Sequence, residues 1–295
     1  MQLGKFGTDI PTPLAYFSLL VSSDEYLPLL EAAVAIAQDE YPELDVQQVL
    51  GEVDQLMARL KRRLPVDSTA LAKLRLLNQF FYHDLSFSGN VNNYYDPDNS
   101  YPHAVLRTRR GIPISLAVLW LELAQGLGLN ARGVAFPGHF MVKVNLPKGQ
   151  VVIDPFTGQS LSREDLSERL TPYKQRNDLH LSDLSESEMA EADIPLGLYL
   201  QSAKPRDIIT RMLQNLKEIH STAEDWQRLI PVQDRLIALN PEAWSEHRDR
   251  GLAFAELGKA TAAVRDFDVY LQNVTDAPDL NAISLRVKEL RRAVI

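Results

Sequence analysis

Two side chains that can share a proton, His139 and Asp154, flank a segment with the period-two apolar pattern of β-strands. The pattern predicts three strands, Ala131–Phe136, Phe140–Val144 and Gln150–Ile153, and the four-residue loop Asn145–Lys148 joins the last two as an antiparallel pair. This register places His139 directly opposite Asp154 on one face of the sheet. A carboxylate beside an imidazole fixes its tautomer and raises its basicity. The pair is therefore either the base and orienting residue of a catalytic site or a purely structural hydrogen bond.

A catalytic triad also needs a nucleophile, and the chain contains no cysteine. Ser115 lies in the first turn of a predicted buried helix, Ile114–Leu127, which begins after Pro113. The N-terminus of a helix stabilises developing negative charge. A serine hydroxyl also needs an aligned base and an oxyanion hole. Ser115 is therefore either the nucleophile that would act with His139 and Asp154, or a small residue at the start of a helix.

A long polar loop, Ser86–Tyr101, precedes this helix and is rich in Gly, Asn, Asp and Pro. Long ordered loops often carry function. We expect its polar groups and the neighbours of the histidine to contact a substrate, and the candidates are Asn90, Tyr95, Asn99, Ser100, Gly138 and Phe140. The alternative is that the polar residues of the loop, Asp96 among them, satisfy their own backbone as turn residues.

Composition excludes several classes of function. The chain has 295 residues, 45% of them hydrophobic, and a net charge of −8, which argues against non-specific nucleic-acid binding. Its short basic runs are typical of solvated helix faces, and they are Lys61–Arg63, Arg107–Arg110 and Arg291–Arg292. The absence of cysteine excludes disulfides and thiolate metal sites and fits a cytoplasmic protein.

No membrane segment or cofactor motif is recognisable in the sequence. The apolar stretch 14–21 is too short to span a bilayer, so we expect a protein without membrane contact. The chain has no zinc signature, phosphate loop, dinucleotide fingerprint or GxSxG elbow, and its other five histidines show no ligand spacing. We therefore expect no cofactor and no metal.

The order of apolar patterns predicts an α+β protein in four parts. Residues 1–68 read as a helical N-terminal region, and 69–172 as a mixed core with a small antiparallel sheet. Within that core, Ser68 is expected to cap a helix that runs to Asp84, and a helix after Pro102 is expected to stop at Gly111. Residues 173–204 read as a polar connector with one short helix around Ser185–Ala192, and 205–295 as all-α.

The C-terminal part shows a repeat of about 34 residues. One unit reads Gly251, Phe254, Gly258, Ala263 and Phe267, the alternation of small and large residues that packs two antiparallel helices in tetratricopeptide repeats. The preceding unit, about residues 208–241, fits less well, and a final helix, Asp279–Ala293, follows. A generic helical hairpin is the alternative interpretation.

Taken together, these residues resemble the transglutaminase-like superfamily, whose papain-like core uses Cys, His and Asp in that chain order. The segment Gly128–Val134 is similar to its helix-to-strand junction, and His139 and Asp154 match its histidine and aspartate. More closely, the chain resembles the SirB family, which joins such a core to tetratricopeptide-like helices. The motifs that carry this likeness are Gly89–Asn90, Tyr94–Ser100, Val105–Leu106, Arg109–Leu116, Phe136–Phe140 and Ile153–Phe156.

The resemblance also shows what is missing. When the chain is aligned without gaps from Gly128, the position of the catalytic cysteine of the superfamily falls on Pro113, which cannot be a nucleophile. Ser115 can take the place of the cysteine only if the helix start is shifted by two residues. The resemblance to the SirB family implies no well-defined reaction, because that family is described mainly by its domains. One hypothesis is therefore a pseudoenzyme that binds a protein or peptide through the core cleft or the repeats. The other is a serine-dependent hydrolase or acyl transferase acting on amide or ester bonds.

Overall fold

The computed structural model describes residues 11–178 and 195–293, so the short helix expected around Ser185–Ala192 lies outside the described residues. The chain divides into two compact units. We call Met1–Leu44 together with Ile209–Ile295 the repeat unit, and Asp45–Ile208 the core unit. The four domain ranges expected from the sequence remain predictions.

The N-terminal part of the repeat unit contains two short helices. Helix α1 (Pro13–Leu20) begins where the Thr12 side chain accepts a hydrogen bond from the Ala15 N–H, and proline at its first position suits an unpaired first turn. Helix α2 (Leu29–Ala35) continues into a 3₁₀ turn, Ile36–Asp39. Its small and apolar side chains are buried, as the period of the sequence indicates.

The core unit opens with two amphipathic helices. Helix α3 (Val46–Lys61) is capped by the Asp45 side chain, and α4 (Ala70–Asn78) by that of Thr69. A single helix capped by Ser68 and running to Asp84 was expected here. This expectation is wrong in two details, because Thr69 accepts the capping bond from Ala72 N and the segment Gln79–Asp84 widens into a π-helical turn.

The polar loop is more ordered than its composition indicates. It contains a 3₁₀ turn, Pro97–Ser100, and leads into helix α5 (Pro102–Thr108). Helix α5 ends three residues before the expected stop at Gly111, because Arg109 adopts the left-handed backbone conformation (φ 59°) that usually ends a helix at glycine.

The central helix α6 (Pro113–Gly126) follows, with proline at its first position as expected. All but three of its side chains are buried. Gly128 adopts the left-handed conformation (φ 72°) just beyond the end of the helix. A helix that is buried on nearly every face lies at the centre of a hydrophobic core, and α6 has this position in the core unit.

Two sheets accompany α6. The first is a two-residue parallel ladder that pairs β1 (Ser88–Gly89) with β2 (Arg110–Gly111), and it was not expected from the sequence. The second is antiparallel with the strand order β3-β4-β5-β6. Its strands are Ala131–Val134, Met141–Leu146, Gly149–Ile153 and Ser160–Leu161. The small antiparallel sheet is thus confirmed, with β6 as an additional strand.

The register of the β4–β5 hairpin differs from the expected one. Leu146 pairs with Gly149 and Val142 pairs with Ile153, so the turn contains two residues, Pro147 and Lys148, instead of four. The register therefore moves by two residues. Because side chains alternate between the faces of a strand, a two-residue shift keeps every side chain on its expected face.

One face of the sheet is covered by helices α7 (Arg163–Asp178) and α8 (Leu196–Tyr199). Leu166 and Leu170 of α7 are one turn apart and pack on the sheet with Leu200. The buried sheet residues of this cluster are Val134, Phe136, Met141 and Val152. Helix α7 is thereby held against the strands that carry the predicted site.

Between residues 205 and 293 the structure describes five helices, α9 (Pro205–Thr222), α10 (Trp226–Leu239), α11 (Trp244–Glu256), α12 (Ala260–Asn273) and α13 (Leu280–Ala293). A Cβ atom at Gly251 would lie 2.6 Å from the ring of Phe267, so the close approach of α11 and α12 needs the glycine of the predicted repeat. The α+β class is confirmed, and no helix among the described residues is long and apolar enough to cross a membrane.

Candidate functional site

His139 and Asp154 are brought together at the ends of adjacent strands. His139 lies in a turn between β3 and β4 that is closed by a 3.0 Å bond from His139 N–H to Phe136 O and needs a left-handed Gly138 (φ 66°). Asp154 follows β5 directly. The distance from His139 Nε2 to Asp154 Oδ1 is 2.8 Å. His139 and Asp154 lie just outside the paired residues of β4 and β5, so the turn before β4 and the segment after β5 bring them together, and the strand register does not.

Asp154 accepts hydrogen bonds on both carboxylate oxygens. The Phe156 N–H donates to Oδ1 at 2.9 Å, and Arg169 Nη1 donates to Oδ2 at 3.2 Å. The Asp154 side chain is 3% exposed. Burial by itself raises the pKa of Asp154, but the hydrogen bond and charge of His139, the Phe156 N–H and the charge of Arg169 outweigh it. The pKa of Asp154 is therefore below its ordinary value, and the group is a carboxylate at neutral pH.

His139 is the more accessible member of the pair, with 23% of its side chain exposed. Its Nε2 atom faces the carboxylate, while Nδ1 makes no hydrogen bond with any described residue. When Nε2 carries the hydrogen and donates it to Asp154, Nδ1 has a free lone pair. The imidazole can then take a proton from, or accept a hydrogen bond from, a group that approaches from solvent.

Helix α7 contributes two residues that sequence reasoning missed, Arg169 and Tyr173. They lie four residues apart and therefore on one face of the helix. Arg169 binds Asp154, and the Tyr173 hydroxyl lies against Gly138, where a Cβ atom would overlap with it. The only signal in the sequence is their spacing of four in a polar helix, which is common on solvated surfaces.

Tyr82 lies near Asp154 and belongs to the π-helical turn Gln79–Asp84, which precedes the polar loop in the chain. Its ring packs on Gly158 (φ 76°), where a Cβ atom would lie 2.7 Å away. Its hydroxyl is buried and has no hydrogen-bond partner among the described residues. Burial, and then the negative charge of Asp154, hold the pKa of Tyr82 well above its usual range. Tyr82 is therefore a neutral phenol beside the carboxylate.

Ser115 occupies a different set of contacts. It is completely buried, and its Oγ lies 2.5 Å from Asn99 O and 3.0 Å from Ile112 O. The same Oγ accepts a hydrogen bond from the Ile112 N–H at 3.2 Å. Ser115 makes no hydrogen bond to His139 in the part of the chain that the structure describes. These contacts attach the 3₁₀ turn Pro97–Ser100 to the start of α6.

The polar loop residues divide into two groups. Asn90 Nδ2 donates to Asn99 Oδ1 at 2.9 Å, and the amide of Asn99 donates to the carbonyl oxygens of Asn93 and Tyr94. These asparagines hold the loop together, as the alternative interpretation of the loop states. Tyr95, by contrast, is 73% exposed.

Three further candidates from the sequence lie inside the fold. Ser100 is buried, and its Oγ lacks a hydrogen-bond partner among the described residues. Phe140 is buried and points at the backbone of β3, since a Cβ atom at Gly133 would lie 2.7 Å from its ring. Gly138 is covered by Tyr173. A role for these residues in substrate contact stays a prediction.

Phe156 connects the loop to the histidine–aspartate pair. Its N–H binds Asp154, and its ring centroid lies 6.1 Å from that of Tyr94. A Cβ atom at Gly89 would overlap with the Phe156 ring, so this glycine of the parallel ladder is needed for the contact. The aromatic residues at the tip of the loop, Tyr94 and Tyr95, therefore adjoin the segment that carries Asp154.

Comparison with known proteins agrees with this architecture. The model of the transglutaminase-like superfamily matches residues 47–214, and a tetratricopeptide-repeat model matches residues 216–288. A UPF0162 protein of Xylella fastidiosa is 38% identical over 256 residues, which are 86% of this chain and 87% of the relative. A UPF0162 protein of Pseudomonas aeruginosa is 30% identical over 89% of this chain and 90% of its own.

The UPF0162 protein YchA of Escherichia coli K12 is 24% identical over 89% of this chain and 93% of the relative. The resemblance to the SirB family and to its two-part architecture, expected from the sequence, is confirmed. On these matches, the chain belongs to the UPF0162 family of the transglutaminase-like superfamily, and in it a transglutaminase-like domain without cysteine precedes tetratricopeptide repeats.

Proposed function

We propose that this protein is a pseudoenzyme, and that its transglutaminase-like domain binds a peptide segment of a partner protein without cleaving or modifying it. The observation that supports this proposal most directly is the position of Ser115. The hydroxyl is buried and engaged with Asn99 and Ile112, and the chain contains no cysteine that could replace it. A buried hydroxyl engaged in this way cannot reach a substrate carbonyl without breaking the start of α6.

The loop provides a surface on which a peptide could rest. Val91, Tyr94 and Tyr95 are exposed apolar or aromatic side chains in one short stretch, and Tyr94 adjoins Phe156 beside the histidine–aspartate pair. Exposed aromatic residues that cluster beside a polar group are typical of peptide-binding surfaces. In this proposal His139, through Nδ1, accepts a hydrogen bond from the peptide backbone.

The tetratricopeptide repeats offer a second surface for the same partner, since stacked helical repeats generally present a concave face to a protein segment. The proposal includes neither nucleic acid nor membrane as a partner. We include a cytoplasmic location in it because a chain without cysteine gains nothing from an oxidising compartment.

The competing proposal is a serine-dependent hydrolase or acyl transferase, and one observation favours it. The His139 imidazole is oriented by a buried carboxylate, and its Nδ1 atom makes no hydrogen bond with any described residue, as a general base requires. A fluorophosphonate probe tests this alternative. Labelling of the wild type that is lost in Ser115→Ala would support the hydrolase, whereas no labelling of either protein supports the pseudoenzyme.

Peptide binding is tested by selecting peptides from a random display library on the full chain and measuring their affinity by fluorescence anisotropy. We expect Tyr95→Ala to weaken binding about tenfold or more, because an exposed aromatic anchor contributes on this scale. Tyr26→Ala is the matched control, since Tyr26 is 76% exposed and lies outside both the polar loop and the residues that match the tetratricopeptide-repeat model, 216–288. Equal affinities of wild type and Tyr95→Ala for every selected peptide would contradict the proposed surface.

A further inference from the structure

A cavity of about 360 Å³ lies in the core unit between the antiparallel sheet, the start of α7 and the short helix α8. Its apolar walls come from β5, β6, α7 and the region of α8, and the residues are Val152, Leu161, Leu166, Leu196 and Leu200. Small-molecule sites in proteins have volumes of roughly 300–1,000 Å³. The cavity is therefore large enough for a small organic molecule with an apolar body.

The walls of this cavity are part of the fold. Val152, Leu166 and Leu200 are buried members of the cluster that holds α7 against the sheet. Gly197, in α8, completes the lining, and a Cβ atom there would meet no other atom within 4 Å. The wall at α8 therefore has open space beside it that a larger side chain at position 197 would occupy.

Two polar residues, Gln150 and Arg163, also line the cavity. Both are exposed, and neither side chain makes a hydrogen bond or ion pair with any described residue. Asp165, two residues after Arg163, accepts a hydrogen bond from the Ser162 N–H at 2.8 Å. Arg163 is the first residue of α7, a position at which the helix dipole disfavours positive charge. An apolar cavity is thus lined by a guanidinium without a carboxylate partner among the described residues.

The sheet brings further positive charge to the same face. Lys143 lies opposite both Arg132 and Val152 in the ladder, so these three side chains share one face. Lys143 Nζ donates to the carbonyl oxygen of Leu200, at the wall of the cavity, at 2.5 Å. Neither Lys143 nor Arg132 forms an ion pair within the part of the chain that the structure describes. Like charges that face each other across two strands are unfavourable, so this surroundings favours an anionic ligand over a cationic one.

We propose that this cavity binds a medium-chain fatty carboxylate, with the aliphatic chain between the leucine side chains and the carboxylate at Arg163. A guanidinium presents a planar fork of N–H donors that matches the two oxygens of a carboxylate. The amide of Gln150 can donate a further hydrogen bond to the same group. None of the lining residues belongs to the polar loop or to the histidine–aspartate pair, so the site does not depend on the proposed peptide surface.

The test is a calorimetric titration of the full chain with octanoate, with octylammonium and with butyrate, in a buffer of low ionic strength. We expect octanoate to bind saturably. Octylammonium, with the same chain and the opposite charge, should bind at least about tenfold more weakly, and so should butyrate, whose shorter chain buries less apolar surface. Equal binding of octylammonium would overturn the recognition of an anion, and equal binding of butyrate would overturn the role of the apolar walls.

Two variants with matched controls locate the site. Arg163→Gln should weaken octanoate binding about fivefold or more, because the charge that pairs with the carboxylate is lost. Arg62→Gln is its control, since Arg62 is also an exposed residue of the core unit but does not line the cavity.

Gly197→Leu should weaken octanoate binding about tenfold or more, because the new side chain takes up space beside α8. Gly51→Leu is its control, since a Cβ atom at Gly51, in α3, also meets no atom within 4 Å. Thermal denaturation checks that all four variants fold. Octanoate affinity that is unchanged in both Arg163→Gln and Gly197→Leu, or no saturable binding by the wild type, would overturn the proposal.

Discussion

The most informative perturbation is Ser115→Ala, because it separates a structural serine from a nucleophilic one. The hydroxyl takes part in two hydrogen bonds at a time, donating to Asn99 O and accepting from Ile112 N–H. Each buried bond contributes about 0.5–1.5 kcal/mol. Asn99 O keeps a second bond from Ile112 N–H at 3.2 Å, so the variant leaves neither backbone group unsatisfied. We expect a loss of about 2 kcal/mol in the free energy of unfolding, which is two such bonds.

The assay should report the core unit alone. Trp120 lies in the same helix as Ser115, is fully buried and donates from Nε1 to Asn78 Oδ1 at 3.1 Å. The other two tryptophans, Trp226 and Trp244, lie in the repeat unit. In a background with both replaced by phenylalanine, Trp120 fluorescence follows unfolding of the core unit. A loss of about 2 kcal/mol should lower its Tm by roughly 4–8 °C.

Ser68→Ala is the matched control, because Ser68 Oγ also donates to a backbone carbonyl in the core unit, but this hydrogen bond is exposed to solvent. We expect this control to change stability by less than about 0.5 kcal/mol. The reasoning is refuted if Ser115→Ala is as stable as the control. Fluorophosphonate labelling of the wild type that disappears in Ser115→Ala, without loss of stability, would instead assign Ser115 as a nucleophile.

Three further predictions concern the supporting contacts. Asp154→Asn should lower the free energy of unfolding at pH 7 by about 2–3 kcal/mol, since charge-assisted bonds are lost. The pKa of Asp154 in the folded state is below its ordinary value of 3.8. The ionised carboxylate therefore contributes its full stabilisation above pH 3.8, and this stabilisation is lost as the pH falls through the lower, folded-state pKa. The free energy of unfolding, measured with urea, should consequently depend less on acid pH in Asp154→Asn than in the wild type. Parallel pH profiles would argue against this. Gly138→Ala should lower the free energy of unfolding by at least about 1 kcal/mol, because Gly138 has a left-handed backbone conformation. In a Tyr173→Ala background the loss measured by thermal denaturation should be smaller, because the overlap between the new Cβ atom and the Tyr173 side chain is removed. An equal loss in both backgrounds would show that the Cβ atom and Tyr173 do not clash. Arg250→Lys should destabilise the repeat unit by about 1–2 kcal/mol, because lysine cannot make both the paired hydrogen bonds to Asp266 and the third hydrogen bond to Asp234. Arg286→Lys is the control, since the contacts of Arg286 with carboxylates are 3.7 Å long. Equal calorimetric Tm values for the two variants would contradict the stabilising role of Arg250.

The elements that follow from local chemistry were predictable. Proline at the first position and Gly128 beyond the end marked α6 within one residue, because both act through their own backbone preferences. The pairing of His139 with Asp154 was predicted with the wrong loop length and is still observed. Both residues lie just outside the β4–β5 ladder, so their contact depends on the turn before β4 and on the segment after β5, which the register argument did not describe.

The tertiary contacts of the site were not predictable in this way. Arg169 and Tyr173 reach the pair only because the apolar face of α7 packs on the sheet, and their polar side chains carry no signal of that packing. The structural role of Ser115 depends on its hydrogen bond to the carbonyl oxygen of Asn99, which lies sixteen residues earlier in the chain, in the polar loop. Whether a hydroxyl at a helix start faces a cleft or closes a loop is decided by what packs on the helix, which periodicity cannot show.

The sequence alone thus determined the α+β class, the repeat, the absence of a thiol and the pairing of an imidazole with a carboxylate. These features depend on residue type, on period and on covalent connection. Only the tertiary structure decided that Ser115 is engaged with the backbone and that α7 supplies Arg169. Such facts depend on which distant segments share a surface, and that choice is made by the packing of the whole unit.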